Sequence, residues 1–200
     1  MKREIGTLMT SIYSQLIEGY TMIKVYITDL SAYAEGTLVG KWISLPLSSF
    51  ELAQALSEVL CEGEFLCKSE GHEEVFITDY EAVISIGEYD DISRLNKLAE
   101  ALEPFDEEEL LKLKFLASEG YNEREVIDNG LDTYEVNIYD YRGKRSLTDT
   151  FELLASDFVD EGLFGEIPES VINYIDYEKI ARDLRMDYSE FEDGVIGRVA

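Results

Sequence analysis

Forty-three acidic residues against 17 basic ones leave this 200-residue chain with a formal net charge of −26. No other feature constrains it as strongly. Self-repulsion on that scale costs stability. Solubility alone asks for far less, roughly 2–8 charges in a small domain. A chain that folds despite the repulsion is expected to use its surface potential. The field repels nucleic acid and anionic membranes, and it attracts basic surfaces, of which DNA-binding clefts are the best-known kind. The 46% hydrophobic content, with 13 Tyr and 9 Phe, excludes an acidic disordered tail and supplies a core. The charge is uneven. Residues 1–60 hold six acids and four bases, so residues 61–200 hold 37 acids and 13 bases.

Hydrophobic periodicity predicts an α+β fold. "MIKVYITDL" (22–30) alternates as a strand with Ile23, Val25 and Ile27 on one face. "GTLVGKWISLP" (36–46) reads as a second strand and "EEVFITDYE" (73–81) as a third. Between them Ser48 and Glu51 form a capping box before a helix whose apolar repeat is read as Phe50, Ala53, Leu56 and Leu60. Residues 91–103 place Ile92, Leu95, Leu98 and Leu102 on one helical face, and Pro104 ends that run. Asp106 and Glu109 cap the next helix, which stops at Gly120, and a short helix follows Asn122. Strand alternation returns over 132–141. Ser146 and Asp149 open a helix with Leu147, Phe151, Leu154 and Phe158 inward. "YSEFEDGVIGRV" predicts a hairpin at Asp193-Gly194. The expected order is an N-terminal extension (1–21), an α+β domain (22–88), a mainly helical middle domain (89–131) and a C-terminal α+β domain (132–200).

Few residues suggest chemistry. Cys61, Cys67 and His72 match no familiar zinc spacing and lack an evident fourth ligand. No dinucleotide, P-loop or nucleophile-elbow motif occurs, and no EF-hand pattern survives. Carboxylate pairs arise by chance in a chain this acidic. The expectation is therefore a protein without catalysis, cofactor or metal. Two cysteines make no disulfide framework, no apolar run reaches membrane-spanning length, and the N-terminus is a poor signal peptide. A cytoplasmic protein with no membrane or nucleic-acid partner is expected. The aromatic residues are read first as packing, Trp42 included, and so are Tyr174 and Tyr177, which are expected three apart on one helix.

The acids remain. In the helix around 147–161, Asp149, Glu152, Asp157, Asp160 and Glu161 fall off the apolar stripe. The last three crowd the C-terminal end, where the helix dipole disfavours them. Their i,i+3 and i,i+4 spacing adds like-charge repulsion of a few tenths of a kcal/mol per pair. Local rules tend to be broken where function demands it. Duplex DNA carries one charge per roughly 1.7 Å, so the net charge corresponds to roughly 44 Å of duplex.

Three stretches resemble the ArdA antirestriction proteins, which are carried by conjugative plasmids and transposons. They are "VYITDLSAYAEGTLVGKWISLP" (25–46), "FITDYEAVISIGEYDDISRLNKLAEAL" (76–102) and "FELLASDFVDEGLFGEIPESVINYIDYEKIARDL" (151–184). The last is the most specific. It matches the family's antirestriction motif at Leu153, Leu154, Gly162, Gly165, Glu166, Ile167, Pro168, Tyr174, Asp176, Tyr177 and Asp183-Leu184. The resemblance implies an elongated chain of three small domains that dimerises through the C-terminal one. It implies carboxylates that imitate phosphates of B-form DNA and inhibit type I restriction–modification enzymes. The expected acidic surface comprises Asp90, Asp91, Glu100, Glu103, Asp106, Glu107, Glu108, Glu109, Glu119 and Glu123, with Asp149, Glu152, Asp157, Asp160 and Glu161. The self-contact is expected around Leu163, Phe164, Ile167 and Ile175, whose apolar surface exceeds what two short helices need. Residues 1–21 have no counterpart in the family, and residues 104–131 run longer than its pattern. The competing reading is an acidic interaction module for another basic or DNA-binding protein.

Overall fold

The computed structural model describes residues 22–144 and 148–199. Among these it contains eight α-helices and two three-stranded antiparallel sheets, a mixed α+β fold. The chain divides into two compact units between Pro104 and Phe105.

The first unit is built on the sheet β2-β1-β3. Strand β1 (Ile23–Asp29) lies centrally, with Ile23, Val25 and Ile27 fully buried. It pairs antiparallel with β2 (Gly40–Leu45) and β3 (Val75–Ala82). The expected strand through residue 30 ends at Asp29, because the Asp29 carboxylate accepts the Ala32 N–H and starts α1 (Leu30–Ala34). Helix α2 (Ser49–Cys67) opens with the expected Ser48/Glu51 capping box. Its inward face differs from the expected one. Leu52, Ala55, Val59 and Gly63 are buried, while Phe50 is 77% exposed. Helix α3 (Ile92–Leu102) buries the four residues read as its core face. Asn96 fixes it against the end of β2, accepting the Leu47 N–H at 2.8 Å and donating to the Leu47 carbonyl at 3.0 Å.

The second unit holds α4 (Glu107–Ser118) and α5 (Glu123–Asn129), which follow the capping signals at Asp106/Glu109 and Asn122. The helices of residues 89–131 thus belong partly to each unit. A 3-10 turn over Leu131–Thr133 delays β4 to Val136–Asp140, later than the alternation from residue 132 suggests. The sheet order is β4-β6-β5, with β5 (Ser189–Glu192) and β6 (Val195–Val199) joined at Asp193-Gly194. Gly197 receives Phe115 of α4; an added Cβ would stand 2.5 Å from that ring. Its neighbour Ile196, on the opposite face of the strand, joins Tyr141, Phe151, Leu154, Phe158 and Ala181 in one cluster. That cluster seats α6 (Thr150–Asp160) and α8 (Tyr177–Leu184), with the short α7 (Glu169–Ile172) between them in sequence. Asp149 is the N-cap of α6; Ser146 and Leu147 lie outside the described residues.

Candidate acidic interaction surface

The acids of the expected surface are all exposed or partly exposed, and they divide by what holds them. One group terminates helices. Asp91 accepts the Arg94 N–H, Asp106 the Glu109 N–H and Asp149 the Phe151 N–H. Glu109 returns the bond by accepting the Asp106 N–H at 2.8 Å. Asp90 accepts the Gly87 N–H at 2.7 Å and closes a turn. Helix N-termini leave N–H groups unpaired and carry partial positive charge, so acids collect there for local reasons alone.

A second group is paired within the fold. Arg142 donates to both oxygens of Asp140 and reaches Glu107 at 2.8 Å. Its other terminal nitrogen stands 3.8 Å from Glu192, which also pairs with Lys114. Partial burial works to raise the Asp140 pKa, but the side-chain and backbone bonds to Arg142 prevail and hold it below the usual carboxylate range. Glu108 pairs with Lys112, Glu100 accepts from Asn96, and Asp149 receives a two-pronged contact from Arg185. Asp157 is partly buried and accepts the Tyr141 hydroxyl at 2.9 Å. Burial first, and that bond second, push the Tyr141 pKa well above its ordinary value. Glu123 also makes contacts within the fold.

The remainder have side-chain carboxylates that make no hydrogen bond or ion pair to any described residue. They are Glu103, Glu119, Glu152, Asp160 and Glu161. Exposed acids outside the expected set share that state: Glu35, Glu62, Glu70, Glu73, Glu74, Glu88, Asp132 and Glu135. Most of these lie in turns and loops, where no helical periodicity draws attention to them; their only signal in the sequence is the charge.

The 151–184 motif combines core and surface. Leu154 is fully buried and Leu153 packs beside it, whereas Leu163 and Phe164 are more than half exposed. Gly165 has φ +88°, a left-handed conformation open to glycine. Pro168 stands at the N-cap of α7, and Asp176 caps α8 by accepting the Lys179 N–H. Glu166 is exposed and Ile167 partly so. Tyr174 and Tyr177 do not share a helix as expected: Tyr177 begins α8, while Tyr174 lies between α7 and α8 and is 83% exposed. With Val171, Ile172 and Met186, these residues add further exposed apolar side chains to the second unit.

His72 is committed elsewhere. It is buried, with Nδ1 2.6 Å from Asp29 and Nε2 2.8 Å from the Ser69 hydroxyl. Cys61 and Cys67 are free thiols. Among the described residues no three His, Cys, Asp or Glu side chains are grouped to hold a metal. No described helix is long and apolar enough to cross a membrane.

A search among curated proteins finds no match. The profile of the antirestriction protein (ArdA) family matches residues 25–197, which cover both sheets and nearly all described helices and strands. The chain therefore belongs to the ArdA antirestriction protein family.

Proposed function

We propose that this antirestriction protein works as a DNA mimic, occupying the DNA-binding cleft of a type I restriction–modification enzyme without catalysing any reaction. The observation that carries the reading is the set of exposed carboxylates that the fold leaves unpaired on capped helices and closed turns. A phosphate backbone offers the same thing: fixed negative charges at short spacing with no internal counter-charge. Cations of a cleft that normally hold phosphates would pair with them. A cytoplasmic protein fits this role, since its target acts on DNA there.

Steep salt dependence is the expected signature. A complex held by many such contacts loses about 10³–10⁵ in affinity between 50 and 200 mM salt. Competition with labelled DNA for a purified type I enzyme, with a type II enzyme as control, measures it. Affinity that stays flat over this range would refute the mimicry.

The exposed apolar side chains around Leu163, Phe164, Ile172 and Tyr174 support a second element of the proposal, a homodimer formed through the second unit. Two-fold symmetry would suit the paired half-sites that such enzymes read on DNA.

A further inference from the structure

An aromatic patch in the first unit goes beyond charge. Phe76 of β3 is buried and carries two exposed rings. Tyr33 of α1 meets it edge-on at 5.1 Å, and Tyr89 stacks on it at 6.1 Å with 19° between the planes. Tyr33 is 53% and Tyr89 74% exposed. Both backbones are held. Tyr33 lies in the helix capped by Asp29, and its carbonyl accepts the Gly36 N–H. Tyr89 lies in the turn closed by Gly87 and Asp90, and its neighbour Glu88 accepts the Ile77 N–H at 2.8 Å. Each ring thus packs on Phe76 from a held backbone, which lowers the ordering cost of binding. Unpaired, exposed Glu35, Glu74 and Glu88 sit within two residues of the three rings along the chain.

The chain itself shows what a ring beside a carboxylate holds. Arg185 lies 4.1 Å over Phe151 while donating to both oxygens of Asp149 at 2.6 and 2.7 Å. Lys24 lies 4.7 Å over Trp42 and 3.2 Å from Glu81. Neither Tyr33 nor Tyr89 has a described cation over its ring.

We propose that Tyr33 and Tyr89 are docking positions for arginine side chains of the bound enzyme, each guanidinium stacking on a ring while pairing with the adjacent carboxylates. The inference rests on the DNA-mimic reading and adds to it a contact that phosphate imitation alone does not supply. Arginine fits better than lysine because its planar, weakly hydrated head both stacks and pairs. An apolar partner would strip water from unpaired carboxylates, and a second copy of this chain would bring like charges together.

The test compares wild type, Tyr33→Ala/Tyr89→Ala and Tyr33→Phe/Tyr89→Phe for binding to a type I enzyme across salt concentrations. The alanine pair should bind about tenfold more weakly. The slope of log affinity against log salt should stay unchanged, because no charge is removed. The phenylalanine pair should bind nearly as wild type. Equal affinity for the alanine pair overturns the inference and leaves the mimicry standing. So does a weakened alanine pair that also sediments differently, which would make the patch a self-contact. Should circular dichroism show the pair unfolded, Tyr89→Ala alone must still weaken binding. A wild-type protein that binds no type I enzyme removes the mimicry and this inference together.

Discussion

Gly63 shows how much one absent methyl group can carry. It faces the buried Asp29 carboxylate from α2, and an added Cβ would collide with an Asp29 oxygen and crowd the His72 ring. Asp29 has nowhere to retreat, since its oxygens already hold the Ala32 N–H and His72. Alanine's better helix propensity, about 1 kcal/mol, is outweighed by overpacking of about 1–3 kcal/mol and by disturbance of a buried hydrogen bond worth about 1–3 kcal/mol. Gly63→Ala should therefore lower stability by roughly 2 kcal/mol on these terms, read from urea midpoints. A midpoint equal to wild type would mean the pair has room to shift. Tyr141 sets a pH limit. Its folded pKa is raised, so above the ordinary tyrosine value of about 10 the unfolded chain ionises while the folded one keeps its proton. The native state then binds more protons, and stability falls as pH rises. Below that pH the contribution is intact. Tyr141→Phe should flatten the alkaline decline in stability, and an unchanged decline would assign it to Tyr139, which burial also raises.

At the level of elements, the acids perform two tasks that a charge count merges. Asp106 terminates α4 through its side chain and also contributes to the surface charge. Asparagine caps as well as aspartate, whereas alanine costs about 1 kcal/mol. Asp106→Asn should keep the stability of wild type, and Asp106→Ala should lose about 1 kcal/mol by thermal or urea unfolding. Inhibition by the two variants should be alike and close to wild type. Different inhibition at equal folding would make Asp106 a discrete contact. The same comparison at Asp91 and Asp149 tests α3 and α6, although Asp149→Asn also weakens the Arg185 pair.

At the scale of the whole molecule, no single carboxylate should dominate, because exposed pairs are individually worth about 0.2–1 kcal/mol. Changing Asp160 alone to its amide should barely alter inhibition. Changing Glu103, Glu119, Glu152, Asp160 and Glu161 together with Glu35, Glu70, Glu88, Asp132 and Glu135 should abolish it while circular dichroism stays native. Full inhibition by that variant would defeat the distributed-charge account. The proposed dimer should respond to salt in the opposite sense from the proposed complex with enzyme. Like-charged protomers repel, so screening should tighten self-association through the apolar surface at Leu163 and Phe164 while loosening binding to a basic cleft. Sedimentation at low and high salt reads both sign and state. A strict monomer at micromolar concentration in both salts would remove the dimer.

Much of this was legible because it is local. Alternation in 22–30 marked a strand, Ser48/Glu51 and Asp106/Glu109 marked helix starts, and Asp193-Gly194 marked a hairpin, since each depends on neighbours a few residues away. The α+β class and the net charge follow from the sequence in the same way. The inward face of α2 did not. Phe50, Ala53, Leu56 and Leu60 form as good a stripe as Leu52, Ala55, Val59 and Gly63, and periodicity has no means to choose. The choice fell to Asp29 and His72, 43 positions apart, whose buried pair admits only a glycine beside it. The acidic set divides for the same reason. Charge and spacing proposed which carboxylates face outward, but whether one is spent on a helix end, on Arg142 or Arg185, or left open to a partner depends on chain segments brought together only by folding. Tertiary contact alone decided that Tyr33 and Tyr89, distant in sequence, would flank one buried phenylalanine.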